Sequence, residues 1–107
     1  MFNENIKAQI AEFIDGFGLE HITFMNGGNT YDYSFSHGVC YFDDGKKMQT
    51  IPPIKATPKI MRRFNQGKFD RVTIKYVDKD NNTIIIDATN DGVEITEWKT
   101  NKMLSVF

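Results

Sequence analysis

RVTIKYVDKDNNTIIIDATNDGVEITEW, residues 71–98, is the stretch whose reading decides the fold. In its first seven residues Val72, Ile74 and Tyr76 alternate with Arg71, Thr73 and Lys75, the period-two pattern of a strand with one buried face. Thr83 to Thr89 repeats the pattern with Ile84, Ile86 and Ala88. A hairpin closed over Lys79-Asp80-Asn81 sets Tyr76 against Ile84, Ile74 against Ile86 and Val72 against Ala88, and Asn81 tolerates the positive φ that such a loop needs. Asp91-Gly92 predicts a second, two-residue type I′ turn that pairs Ala88 with Ile95 and Asn90 with Val93. All these apolar residues share one face, and a slip of one residue would turn Val72, Ile74, Ile86 and Ile95 into water. Val77, Ile85 and Trp98 interrupt the polar face, which makes them candidates for a covered edge or an apolar contact surface.

Working outward, all three prolines fall in residues 51–58, where they stop a strand and stiffen a connection. Thr57 followed by Pro58 has the N-cap and first-position signature of a helix running to about Gln66, with Gly67 past its end and Ile60, Met61 and Phe64 inward. Residues 3–15 predict another helix, capped by Asn3, with Ile6, Ile10, Phe13 and Ile14 as its apolar stripe and Gly16 or Gly18 at its end. Between the helices, a turn at Gly27-Gly28 sets Phe24 against Tyr31 and Ile22 against Tyr33. A three-residue loop, Ser36-His37-Gly38, pairs Phe35 with Val39 and Tyr33 with Tyr41, and Asp44-Gly45 brings Tyr41 to face Met48. Residues 103–107 supply a last strand after a turn at 99–102.

The element order is therefore αββββαββββ, an α+β domain in which a curved antiparallel sheet of up to eight strands carries two helices on one face. At a shift of fifty, Ile10 falls on Ile60, Ile14 on Phe64, Leu19 on Phe69, Ile22 on Val72, Thr23 on Thr73 and Phe24 on Ile74. This divides the single domain, 1–107, into pseudo-repeats 1–51 and 57–107. An internal duplication would produce the match, and so would any two amphipathic α-β segments, since identities are few.

With 40% hydrophobic and 25% charged residues, the chain falls in the globular range, which excludes disordered and collagen-like classes. The single cysteine, Cys40, can form no internal disulfide, and the N-terminus lacks a basic region followed by an apolar core, so a cytoplasmic, unexported protein away from membranes is expected. The net charge of −1 hides a segregation: residues 1–45 carry −6, residues 46–75 carry +8 and residues 76–107 carry −3.

Reactive groups in a recognisable spacing are few. His21 lies on the polar side of a strand and His37 in a turn, and neither has a carboxylate at a triad or metal-ligand spacing. Asp78-Lys79-Asp80-Asn81-Asn82 resembles the start of a calcium loop, but Thr83 stands where the glycine is required and Thr89 where the last carboxylate is. A hairpin loop explains it. Tyr31, Tyr33, Tyr41 and Met48 could line a pocket, although aromatic stripes usually fill core. No enzyme, cofactor or metal is expected.

The constellation above background is basic: Lys55, Lys59, Arg62, Arg63, Lys68 and Arg71, with Lys75 beyond it. The expectation is a small soluble binding protein, an inhibitor or adaptor, that meets an acidic protein partner or its own acidic first half through this patch, with Val77, Ile85 and Trp98 as an apolar anchor. The alternative is a nucleic-acid binder using the second helix, against which the near-neutral total argues.

Overall fold

The computed structural model describes residues 4–15 and 18–98, together with the backbone of 102–106. Two helices, α1 (Glu4–Ile14) and α2 (Pro53–Gln66), each precede four strands. The strands are β1 (Leu19–Asn26), β2 (Asn29–Ser36), β3 (Val39–Asp43), β4 (Met48–Ile51), β5 (Arg71–Val77), β6 (Thr83–Thr89), β7 (Gly92–Glu97) and β8 (Lys102–Val106). They form one open antiparallel sheet in the order β4-β3-β2-β1-β5-β6-β7-β8. The two four-stranded meanders meet at the β1–β5 pair.

That central pair has Ile22 opposite Ile74, Thr23 opposite Thr73 and Phe24 opposite Val72. A twofold axis passing between Thr23 and Thr73 and exchanging residues n and n + 50 imposes this same pairing, because it maps Ile22 and Ile74 onto Val72 and Phe24. The shift of fifty seen in the sequence is thus also the register of the seam.

The inner face is built from Ile22, Phe24, Tyr33, Cys40, Ile51, Val72, Ile74, Ile84, Ile86, Ala88 and Val93, all buried, and the helices cover it with Ile10, Ile14, Ala56, Ile60 and Phe64. Each helix makes ring contacts with strands of the other half. Phe13 of α1 meets Tyr76 of β5 edge-on at 5.3 Å, and Arg63 of α2 lies over Tyr31 and Phe42 of β2 and β3. The length of α2 follows from the topology. The chain must return from β4 to β5 across three intervening strands, roughly 19 Å at the usual strand spacing. A fourteen-residue helix rises about 21 Å. At the seam, a Cβ on Gly18 would lie 1.9 Å from the Val77 carbonyl oxygen, so the turn into β1 passes too close to β5 for any side chain.

The β5–β6 pairing is the one anticipated, with Asn81 at φ 66°. Four local readings are corrected. The second meander turn pairs Ala88 with Val93 and Ile86 with Ile95, two residues from the expected register, which leaves every side chain on its expected face. The β2–β3 turn is His37-Gly38, both at positive φ (52° and 78°), so Phe35 pairs with Cys40 and Tyr33 with Phe42. This is a slip of one, and it turns Cys40 and Phe42 inward and Tyr41 outward. In the next turn Tyr41 pairs with Thr50, not with Met48, two residues from the expected register, so Ile51 lies opposite Cys40 and Met48, 63% exposed, opposite Asp43.

The fourth correction concerns α2. It starts at Pro53, not Pro58, because Pro52 accepts the backbone N–H groups of Lys55 and Ala56 (2.9 and 3.0 Å) and places Pro53 in the first position. The earlier start adds fully buried Ala56 to the Ile60 and Phe64 stripe. Gly67 closes the helix in the left-handed conformation, its N–H donating to the Phe64 carbonyl. The readings that end α1 at Gly16 and cap it at Asn3 fall outside the described residues, as does the turn at 99–102 except for Lys102, which begins β8.

Candidate functional site

Lys55, Lys59, Arg62 and Gln66 follow one another at helical spacing along the exposed side of α2, with Arg63 beside them and half-buried. Between this stripe and the β3–β4 edge lies a cleft of about 230 Å³, lined by Lys59, Arg62, Arg63, Gln66, Tyr33, Phe42, Gln49 and Ile51. No carboxylate lines it. Residues 45–69 contain seven basic side chains and neither Asp nor Glu. Among the described residues the ion pairs are His21–Asp32, Arg71–Asp87 and Lys75–Glu20, and none includes a cation of α2.

Arg63 is the ordered member of the group. Its guanidinium lies 4.1 Å from the centroid of the Tyr31 ring and 5.6 Å from that of Phe42, and its Nε donates to Tyr33 Oη at 2.9 Å. Stacking and hydrogen bonding fix the plane through Nε, and no carboxylate takes the terminal nitrogens. A planar fork held this way is suited to a carboxylate or phosphate. The sequence marked Arg63 but missed its platform. Tyr31, Tyr33, Phe42 and Gln49 come from three strands, β2, β3 and β4, with Tyr33 thirty residues upstream of Arg63, and only the tertiary fold brings them under the helix.

The structure divides the rest of the basic set. Lys68 is exposed in the loop after α2. Arg71 sits on the opposite, open face of the sheet, where it forms a two-bonded pair with Asp87 (2.8 and 2.6 Å), and this carboxylate raises its pKa. Lys75 is also on that face, pairing with Glu20 at 3.6 Å and lying 4.8 Å from the Trp98 ring centroid.

The apolar trio Val77, Ile85 and Trp98 also lies on the open face; Val77 and Ile85 are half-buried, and Trp98 is 57% exposed. Ile85 and Trp98 line a second cleft of about 380 Å³ with Asp87, Glu94 and Thr96. The alternation of β6 and β7 carried this information, since Ile85, Asp87, Glu94 and Thr96 all fall on the polar face. Laterally, strand pairing sets Asp43, Asp32, Thr23, Thr73, Asp87 and Glu94 in one row. From either end the row reads two carboxylates and then a threonine. His21 contacts Asp32 and Arg71 contacts Asp87, and the two bases, His21 and Arg71, are fifty residues apart.

His21, Asp32 and Thr23 bring an imidazole, a carboxylate and a hydroxyl together, yet not in a catalytic order. Thr23 Oγ1 donates to Asp32 Oδ1 at 2.7 Å and lies 3.4 Å from His21 Nε2, the same nitrogen that meets Asp32. A nucleophile–base–orienter relay needs the hydroxyl and the carboxylate on different ring nitrogens. Tyr31 and Tyr33 face inward while Tyr41 and Met48 face outward, so these four line no common pocket. The Asp78 carboxylate closes its own loop by accepting the N–H groups of Asp80 and Asn82, both at 2.9 Å.

Among the described residues no helix is long and apolar enough to cross a membrane. Comparison of the chain with family models, with curated proteins and with solved structures gave no match.

Proposed function

We propose that this protein is a small non-enzymatic binding module, an inhibitor or adaptor, that holds an acidic segment of a protein partner in the groove between α2 and β4. One observation carries the reading: Lys59, Arg62 and Arg63 converge on a cleft without a carboxylate, and Arg63 is pre-oriented by Tyr31 and Tyr33. Pre-orientation lowers the ordering cost of binding, so an anion meets a fork already in place. Action in the cytoplasm belongs to the same proposal and is supported by a single, buried cysteine.

A peptide suits the groove better than a nucleic acid. The aromatic faces under Arg63 are covered by it and offer no platform for base stacking. The opposite side of the sheet carries the row of carboxylates, which would repel a wrapped phosphate backbone. The test is fluorescence anisotropy with a labelled glutamate-rich octapeptide, an uncharged control and a single-stranded oligonucleotide across a salt series. Saturable binding of the acidic peptide is expected, weakened about tenfold by the pair Lys59→Ala and Arg62→Ala. Absence of peptide binding even at low salt refutes the proposal. Preferential retention of the oligonucleotide, with a steep salt slope, would move the function to nucleic acid.

A further inference from the structure

From the second cleft we infer that the open face of the sheet binds a basic segment, with an arginine side chain as the anchor between Trp98 and Glu94. The site is independent of the α2 groove, since it lies on the other side of the sheet and is lined by Ile85, Asp87, Glu94, Thr96 and Trp98. Three observations choose the occupant.

The first is that the face already takes cations from its own chain. The Lys75 ammonium rests over the Trp98 ring at 4.8 Å, and Asp87 accepts two bonds from Arg71. An indole face and a carboxylate one strand apart are the two halves of a guanidinium site, one for the plane and one for the edge. The second is geometry. Ile85 of β6, opposite Thr96, forms an apolar floor beside the stretch that runs from Glu94 of β7 to Trp98, and Glu94 is exposed. An arginine stem can bury its methylenes on Ile85 while its head reaches Glu94. The third is the charge beyond the cleft. The row from Glu94 through Asp87 to Asp32 and Asp43 spans the sheet, so a segment crossing the strands meets acidic positions at both ends.

Arginine suits this site better than lysine because its planar head can stack on the indole and bond Glu94 at the same time. Lys75 is the competitor supplied in cis: a partner arginine displaces it from the ring, and Glu20, its ion-pair partner at 3.6 Å, retains it.

Trp98 is the only tryptophan, so its emission reports the site directly. The experiment titrates the full-length protein with an acetylated Arg-Gly-Arg-Gly-Arg peptide, the matching lysine peptide and a glutamate peptide at low and physiological salt. A saturable change in Trp98 emission is expected with the arginine peptide, weaker with lysine and absent with glutamate. Glu94→Gln should weaken binding about fivefold, the size of one charge-assisted contact. Lys75→Met should tighten it. Fluorescein-labelled peptide and Trp98→Ala, read by anisotropy, check that the tryptophan binds as well as reports. No response to the arginine peptide, or an equal response to the glutamate peptide, overturns the inference. So does retention of full affinity in both Glu94→Gln and Trp98→Ala. An emission change that depends on protein concentration alone and vanishes with salt would seat a second copy of the chain there and overturn it as well.

Discussion

Cys40 is fully buried on the inner face opposite Phe35 and Ile51, and burial pushes its thiol pKa up from the ordinary 9.0. In the unfolded chain the thiol ionises near 9.0, while in the fold it keeps its proton to higher pH. Above that point the unfolded state binds fewer protons than the native state, so stability must fall as pH rises. The contribution is complete below pH 9.0 and is lost on the alkaline side. Denaturant midpoints of wild type and Cys40→Ala, measured from pH 7 to 10.5, should show the variant less stable throughout but with a shallower alkaline decline. An identical slope would show that other groups set it. Native Cys40 should also resist alkylating reagents until the protein unfolds. The register expected from the sequence pairs Val39 and Tyr41 with the inward Phe35 and Tyr33, which points Cys40 the wrong way. Val39, Cys40, Tyr41 and Phe42 are four consecutive apolar or aromatic residues, and a run without alternation contains no face. Where alternation was clean, as at Val72, Ile74 and Tyr76, both face and partners were legible.

Among the elements, α2 shows how a better local start signal can lose. Thr57-Pro58 and Pro52-Pro53 each place a proline in an allowed first position, and local chemistry, which favours a Thr cap over Pro52, does not choose the observed start. Burial does, since only the longer helix brings Ala56 to the core. The outcome leaves Pro58 inside the helix, where it lacks the N–H that would bond the Ile54 carbonyl. Ile54 is 84% exposed, so water can satisfy that carbonyl and limits the loss. Pro58→Ala should therefore stabilise the protein by about 1 kcal/mol or more, read as a higher denaturant midpoint at unchanged m. A lower midpoint would mean that the rigidity proline gives the unfolded chain outweighs the missing bond. The basic stripe of α2 was legible at this scale from helical spacing alone. Its groove was not, because the floor comes from β2, β3 and β4, and the sequence makes the turn at His37-Gly38 one residue too long.

For the molecule as a whole, the αββββαββββ order followed from the sequence because turns and alternation agreed almost everywhere, while the crossing of the helices did not. Nothing local says that α1 will meet Tyr76 or that α2 will lie over Tyr31 and Phe42. That exchange makes one core from two halves, with Phe69 in ring contact with both Phe24 and Phe64. Unfolding should therefore be a single transition: Trp98 emission, which reports the second half, and far-ultraviolet circular dichroism, which reports both, should trace coincident denaturation curves. Separated midpoints would divide the core.

The seam between β1 and β5 is also indifferent to covalent continuity. A polypeptide holding one helix and four strands could close the same seam against a second molecule of itself, each lending its helix to the other, but only in a bimolecular encounter that fails on dilution. Joining the two through α2 turns that encounter into an intramolecular one, and the assembled sheet then persists at any dilution.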